Sequence, residues 1–396
     1  MKTGGWKMVH YDVMIVGGGT MGSAAAYFLS EQKLKVLVID QFTIPNDRGS
    51  HHGHTRMLRL ANGNGGRYVP LGIEALQLWR ELEQETGKSL YKQTGALTVG
   101  FPGSEFVTET IESAVKFQMN HEVLSAAQIM ERWPGISIPE DYYGCYDPEA
   151  GFLFSEEAIR TYKEQAIFYG ATVLENEKVL EVNTVGDYCQ VSTEKVVYQA
   201  DKLIVTAGAW AKELLKPLDL PIQVIRKTIG WFKPNEEHIY SEDFPVFVFD
   251  TKNDGHYYGF PDFDGSGVKL GRMDLGYETK ADTLDREFGT YEDDEGDLRR
   301  FLEIYMPSAA GQLLDGKVSM FSNTPDHDFI IDFHPEHSNI VFAAGFSGHG
   351  FKFASVIGSM LAEMIVEGKT SRDISFLRLK RFKTELSDCQ KRYSGS

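Results

Sequence analysis

The chain has 396 residues, 42% of them hydrophobic and 24% charged, an ordinary composition for a globular protein with room for two domains. Its formal net charge of −17 argues against nucleic acid or an anionic membrane as partner. No window approaches ~18 uninterrupted apolar residues, so no spanning helix is expected. Cys145, Cys189 and Cys389 are scattered without CxxC spacing, which fits a reducing, cytoplasmic setting and no disulfide framework.

Residues 1–7 read as an extension ahead of Met8 and lack the charged-then-apolar order of a secretion signal. A short apolar strand over 13–16 runs into Gly17-x-Gly19-x-x-Gly22, and a helical pattern follows through Ala24, Tyr27 and Leu29. Gly17 suits the tight turn, Gly19 close approach of backbone to a pyrophosphate, and Gly22 tight packing of helix on strand. The diphosphate would sit on the unpaired N–H groups of that helix start, at Thr20 and Met21. A second strand over 36–39 ends in Asp40, followed by Gln41, where the carboxylate that binds a ribose hydroxyl belongs. Strand, turn, helix, strand and terminal acid in this order predict an adenine dinucleotide site.

Residues 70–85 read as an amphipathic helix with Leu71, Ala75, Leu78, Trp79 and Leu82 on one face. β-type runs such as 95–99 follow and suggest departure into a second domain. Helix and strand alternate again over 155–169, 172–174 and 179–182. A strand over 203–206 closes on Ala207-Gly208-Ala209-Trp210, which suits backbone packed against a dinucleotide or a plain turn. Residues 222–322 are rich in Phe and Tyr and alternate, as in 246–249 and 256–260, predicting the antiparallel sheet of a substrate domain. The acidic run 292–297 opens a helix, where the macrodipole favours it. Last come a buried-type strand over 340–344, then Gly345-Phe346-Ser347-Gly348-His349-Gly350, then a helix carrying Ile357, Leu361, Met364 and Ile365. This unit brings a second glycine-rich backbone to the cofactor. The terminal Ser394-Gly395-Ser396 matches no retention or peroxisomal signal.

The expected architecture is α/β. A discontinuous dinucleotide-binding domain of Rossmann type takes 8–92, 153–220 and 326–388. An α+β substrate domain on a mixed or antiparallel sheet takes 93–152 and 221–325.

Four clusters could carry chemistry. Gly49-Ser50-His51-His52-Gly53-His54-Thr55-Arg56-Met57-Leu58-Arg59 places two arginines on one face if the segment is helical. Permanently charged guanidinium groups suit a carboxylate or a negatively polarised ring, the plain alternative being a surface basic patch. Its histidines lack ligand spacing, so no metal site is expected. Lys269, in Gly267-Val268-Lys269-Leu270-Gly271, needs a purpose if buried; the pattern equally allows it to face solvent. Lys352, near His349, could hold a substrate carboxylate or steady negative charge on a reduced ring. Tyr257, Tyr258, Trp231 and Phe321 are core or active-site wall. With no GxSxG, HExxH, P-loop or kinase signature, what remains is redox chemistry on a bound dinucleotide.

Five stretches together are highly specific: Gly17 to Gly22, the Gly49 to Arg59 cluster, Tyr257-Tyr258-Gly259-Phe260-Pro261, Lys269-Leu270-Gly271, and residues 343–353 from Ala343 to Phe353. Through them the chain resembles the monomeric sarcosine oxidase and N-methyltryptophan oxidase family, within the glutathione-reductase-type FAD amine oxidases, from about Tyr11 to Ile374. The resemblance implies FAD rather than NAD, a choice the glycine motif leaves open. The implied cofactor contacts are Gly17, Gly19, Thr20, Met21, Gly22, Asp40, Gln41, Ser50, His52, Thr55, Arg56, Val179, Ala207, Gly208, Trp210, Ser319, Gly348, His349, Gly350 and Lys352. It also implies that Arg59 and Lys352 clamp the substrate carboxylate, and that Tyr258 lines the substrate site. His52 and Arg56 would lie near the flavin ring, and Lys269 would activate oxygen.

Three positions depart from the family pattern. Ser319 stands where the family carries the cysteine that joins the flavin, and serine supplies no thiolate, so FAD is expected to be non-covalent. Met273 replaces an active-site histidine and Phe321 a tyrosine. Both make the pocket less polar, which favours a bulkier secondary amine over sarcosine. The expected activity is oxidation of a secondary amino acid to an imine, with O2 reduced to hydrogen peroxide, by a monomer that binds neither nucleic acid nor membrane. The alternatives are a fructosyl amino acid oxidase, an FAD amine dehydrogenase that uses a carrier instead of O2, and a non-catalytic flavin-binding protein.

Overall fold

The computed structural model describes residues 9–61, 63, 66–241 and 243–382. The expected extension ahead of Met8, Cys389 and the terminal Ser394-Gly395-Ser396 lie outside the described residues. The chain divides into two compact units, one of Met1–His52, Glu156–Val224 and Phe321–Ser396, the other of Gly53–Ser155 and Ile225–Met320.

In the first unit the strand His10–Val16 lies between parallel neighbours Val36–Ile39 and Val197–Val205. Parallel Thr172–Leu174 extends one side and Ile340–Ala344 the other, and an antiparallel hairpin, Val179–Val185 with Tyr188–Thr193, joins Val197–Val205. Their central residues are apolar and buried (Met14, Leu37, Leu203, Phe342), as a parallel sheet covered on both faces requires. The register aligns Val16 with Ile39 and with Val205, so Gly17, Asp40 and Thr206 all leave the sheet at its carboxyl edge. The helix Thr20–Glu31 packs on Ala354–Glu367 through small residues; a Cβ at Gly358 would lie 2.5 Å from that of Ala24. Helix dipoles and strand ends thus converge on one edge, where open α/β sheets place ligands.

The second unit is built on a nine-stranded sheet. Its order is Tyr277–Thr279, Gln223–Phe232, Val268–Arg272, Gly255–Phe260, Val246–Thr251, Ala96–Gly100, Tyr143–Asp147 and Glu122–Ser125, with Leu313–Asn323 also on Gln223–Phe232. Val246–Thr251 runs parallel to Ala96–Gly100 and antiparallel to Gly255–Phe260, which makes the sheet mixed. The helix Asp293–Tyr305 covers it, with Phe301 stacked 4.4 Å from Tyr257 and edge-on to Phe249.

A separate three-stranded sheet joins Thr55–Leu58, Gly151–Phe154 and Tyr91–Gln93. This corrects the helical option for the arginine cluster: Thr55–Leu58 is a strand, so Arg56 and Arg59 share no helix face. The same pairing places 53–92, expected with the dinucleotide-binding segments, in the second unit. Among the described residues no helix is long and apolar enough to cross a membrane.

Candidate active site

In the first unit the glycine loop is shaped by backbone contact. Gly17 takes φ +96°, and a Cβ there would meet Thr206 O at 2.5 Å and the Ala207 Cα at 2.9 Å. A Cβ on Gly22 would lie 1.9 Å from Gly17 O. Thr206 Oγ1 donates to Gly17 O at 2.7 Å, which brings the 206–208 turn onto the loop. Gly19 differs, since its Cβ would approach only His51 Nδ1, at 3.9 Å. The start of the helix, at Thr20 and Met21, has no side-chain cap and no acidic residue in its first turn. Its N–H groups remain suited to an anion.

Asp40 accepts from Gly18 N and from Phe42 N, both at 2.8 Å. Burial nonetheless pushes its carboxyl up to about 6, with those two bonds opposing. Each oxygen keeps a lone pair for a further donor such as a ribose hydroxyl. Gln41 follows, half-buried; Ser50 is exposed and Val179 buried. Trp210 packs against Phe42 at 5.7 Å, and Gly208, at φ +55°, has open space where a Cβ would be.

The late glycine loop belongs to the same unit. Gly348 lies against Phe321, whose ring a Cβ would meet at 2.3 Å, and Gly350 lies likewise on Phe346. His349 Nε2 lies 3.0 Å from His327 O, and its ring packs on Phe329. Lys352 is buried with Nζ 5.0 Å from the Phe353 ring, and His52 is also buried.

In the second unit Lys269 is buried, which resolves the ambiguity of its strand pattern. Its Nζ donates to Gly53 O at 2.6 Å, Thr55 O at 2.9 Å and Thr55 Oγ1 at 3.1 Å. The rings of Phe260, at 4.4 Å, and Trp231, at 5.5 Å, flank the same ammonium. Three acceptors and two π-faces are what a buried Lys⁺ needs. Arg56 turns back on its own strand, donating to Thr55 O at 2.8 Å, and its charge acts against the burial that raises the Tyr258 hydroxyl pKa.

Arg59 is buried, with Nη1 a long 3.4 Å from Thr98 Oγ1 and the ring of Phe106 at 5.1 Å. Burial lowers its pKa to about 10, and Asp147 partly restores it. The carboxyl of Asp147 is itself raised by burial, against hydrogen bonds from Glu149, Leu60 and Ala61. Ser319 is buried on Leu313–Asn323, and its Oγ has no hydrogen-bond partner among the described residues. Met273 is half-buried. Tyr257 belongs to the core, its hydroxyl on Asp297 and its ring on Phe301. Among the described residues no group of three or more His, Cys, Asp and Glu is placed to hold a metal. Burial pushes the thiols of Cys145 and Cys189 up to about 12, so both are inert at neutral pH.

Residues 12–364 match the family described as FAD dependent oxidoreductase. The chain belongs to that family. Monomeric sarcosine oxidase of Bacillus sp. (strain NS-129) is 46% identical over 376 residues, covering 94% of this chain and 97% of its own. N-methyl-L-tryptophan oxidase of Salmonella typhi is 36% identical over 372 residues, covering 94% and 99%. Among solved structures, the open form of NikD, an unusual amino acid oxidase, superposes with a TM-score of 0.82 at 24% identity, covering 93% of this chain and 97% of its own. L-proline dehydrogenase from P. horikoshii gives 0.83 at 24% identity, covering 96% and 99%. Both structures bear on the fold alone. Family membership selects FAD for the loop–helix–Asp40 unit.

Asp147 went unread in the sequence, and His51 was read only as one of the histidines of the Gly49–Arg59 cluster. His51, buried beside the open face of Gly19, had a signal in its place within the Gly49–Arg59 cluster. Asp147 had none, because only the sheet brings it to Arg59.

Proposed function

We propose that this chain is a flavin-dependent oxidase of N-methyl or N-alkyl amino acids, acting as a cytoplasmic monomer on a small amino-acid substrate and O2. The fit of the cofactor rests on the loop: open space at Gly19, an uncapped helix start and a buried acid at Asp40 suit a pyrophosphate and a ribose. Bound FAD would supply a two-electron acceptor for the C–H beside nitrogen and, once reduced, a donor to O2, so that amine and O2 would become imine and hydrogen peroxide.

The observation that carries the substrate assignment is Arg59. A guanidinium buried deeply enough to lower its pKa to about 10, with a long bond to Thr98 and, as its opposing charge, an Asp147 whose own carboxyl is raised by burial, gains from a further anion. A substrate carboxylate supplies that charge in a planar, two-toothed geometry. Lys352, also buried, is the second partner for that carboxylate in this reading. Tyr258, its hydroxyl kept protonated by burial, donates a hydrogen bond within the substrate site. His52 and Arg56 steady charge near the ring. Lys269, fixed by three acceptors, holds positive charge where oxygen becomes negative. Phe260 and Trp231 exclude water around it. Met273 and Phe321 favour an apolar substrate side chain.

Ser319 supports non-covalent FAD, since a buried hydroxyl without a base leaves no nucleophile for the bond. Acid precipitation should leave the yellow colour in solution, and a yellow pellet would refute this.

Arg59→Ala should raise KM roughly 10- to 100-fold, the value of a charged hydrogen bond; an unchanged KM removes Arg59 from the site. Lys269→Met should slow reoxidation by O2 far more than reduction by substrate in stopped flow, and equal losses would defeat its assignment. Peroxide formed in step with imine separates an oxidase from a carrier-dependent dehydrogenase. Turnover of fructosyl glycine in preference to N-methyl amino acids would overturn the substrate class.

A further inference from the structure

The helix Glu105–Lys116 begins on a polar array that the proposed function leaves unused. Ser104 caps it: its Oγ accepts from Val107 N at 3.2 Å and donates to Asp250 Oδ2. The other carboxylate oxygen, Asp250 Oδ1, lies 2.6 Å from His256 Nε2. Strand register makes that pair, because Asp250 stands directly opposite His256 where Val246–Thr251 meets Gly255–Phe260. Ser104 and Asp250 are buried, whereas the His256 side chain retains 37% of its exposure. Two residues along the chain from Ser104, Phe106 sets its ring 5.1 Å from the Arg59 guanidinium carbon and 5.8 Å from the His256 ring. Gly63 closes on the same ring, which a Cβ there would meet at 2.6 Å.

We propose that Ser104, Asp250 and His256 are positioning residues that hold Phe106 against the Arg59 guanidinium, and that Phe106 thereby sets how firmly Arg59 takes the substrate carboxylate. The inference rests on the assignment of Arg59 made above.

The physical chain is short. An N-cap bond fixes the first turn of a helix, and with it the direction of the side chains that turn carries. The capping hydroxyl is fixed in turn by the buried Asp250 side chain, whose other oxygen is held by His256. The ring face holds one side of a planar guanidinium and leaves its N–H edge for a carboxylate. A flexible arginine is thus ordered before substrate arrives, which lowers the cost of binding.

The array also titrates. The hydrogen bond that His256 Nε2 donates to Asp250 holds the His256 pKa above the ordinary histidine value, with burial opposing. Asp274, whose Oδ1 accepts His256 N at 3.0 Å, adds negative charge, and Arg272, paired with Asp274, opposes it. From the helix the group facing the ring is Phe106, which carries no charge. As pH rises through this range the histidinium is lost, the tie to Asp250 weakens and KM rises.

The test is steady-state kinetics of the FAD-loaded protein with an N-methyl amino acid between about pH 6 and 9, in the range where histidine titrates. Melting curves and flavin absorbance report that each variant is folded and loaded. Phe106→Leu and Ser104→Ala should each raise KM about threefold to tenfold, the effect of one ring–cation contact, with kcat nearly unchanged. Ser104→Thr, which keeps both bonds, should restore KM. His256→Gln should flatten the part of the KM–pH profile that wild type shows in the histidine range. Titration of the substrate amine is common to all variants and cancels in the comparison. Arg59→Lys separates the two readings. If it raises KM while Phe106→Leu and Ser104→Ala do not, or if His256→Gln leaves the profile intact, the positioning role is wrong. If Arg59→Lys leaves KM unchanged, the carboxylate assignment itself fails and this inference falls with it.

Discussion

The glycine loop of the first unit and the buried cations of the second are made from different materials. The loop is backbone: Gly17 turns against Thr206 O, Gly18 N–H meets Asp40, and the helix start offers its own N–H groups. The cations are side chains, each in its own setting: Lys269 on Gly53 and Thr55, Arg59 beside Thr98, Phe106 and Asp147. A backbone site is set by spacing within one turn, so few substitutions reach it and those that do act on the chain itself. A side-chain site is assembled by sheet register from distant residues, and its members can be exchanged singly.

That contrast predicts its largest effect at Gly22. A Cβ 1.9 Å from Gly17 O has no flexible neighbour to displace, only the turn itself. Gly22→Val should cost about 3 kcal/mol or more and abolish FAD retention, read by thermal melting and by flavin content. A variant that melts like wild type and stays yellow would mean the loop yields, and the contrast between the two sites would lose its basis.

Asp40 ranks next, a buried side chain that accepts from Gly18 N and Phe42 N beside the loop. Burial raises its pKa from 3.8 to about 6, so the fold holds that proton more tightly than the unfolded chain does. The stability it contributes is full below about pH 4 and lost as pH climbs through 6. At about 1.4 kcal/mol per pH unit the loss amounts to roughly 3 kcal/mol at most. Asp40→Asn removes this titration. Apoprotein melting between pH 4.5 and 7 should therefore fall more steeply in wild type than in the variant, as the linkage between proton binding and folding requires. Added FAD should oppose the trend, because a ribose hydroxyl donates best to the ionised acid. Parallel apoprotein curves would show that the carboxyl is not strained by its burial.

The same division explains how much the sequence disclosed. The strands Val36–Ile39, Thr172–Leu174 and Ile340–Ala344 have the bounds read from their apolar runs, since each is a short buried segment closed by a turn. The segment from Gly53 to Arg59 was not legible, because Thr55–Leu58 has no period of its own and becomes a strand through Gly151–Phe154. Lys269 was ambiguous for a related reason. Val268–Leu270 is buried on both faces, so alternation says nothing about which way the lysine turns. The Ser104–Asp250–His256 array was invisible, as its members meet only after the strands pair.

Gly19 gives the smallest effect and the finest discrimination. Its φ of −67° is open to any L residue, and a Cβ would find its nearest neighbour at 3.9 Å. Nothing in the polypeptide therefore requires glycine there. Gly19→Ala should leave the apoprotein as stable as wild type, or up to about 1 kcal/mol more so, since alanine restricts the unfolded chain. If a diphosphate lies on that backbone, the same methyl group stands where it must approach, and FAD affinity should fall about tenfold, or about 1.4 kcal/mol. Titrating FAD into the apoprotein of both forms measures this directly. Unchanged melting with weakened binding marks a glycine kept for a ligand, whereas the Gly22 variant fails with or without FAD. Unchanged binding as well would place the phosphates elsewhere on the loop, and would leave Gly19 without a physical account.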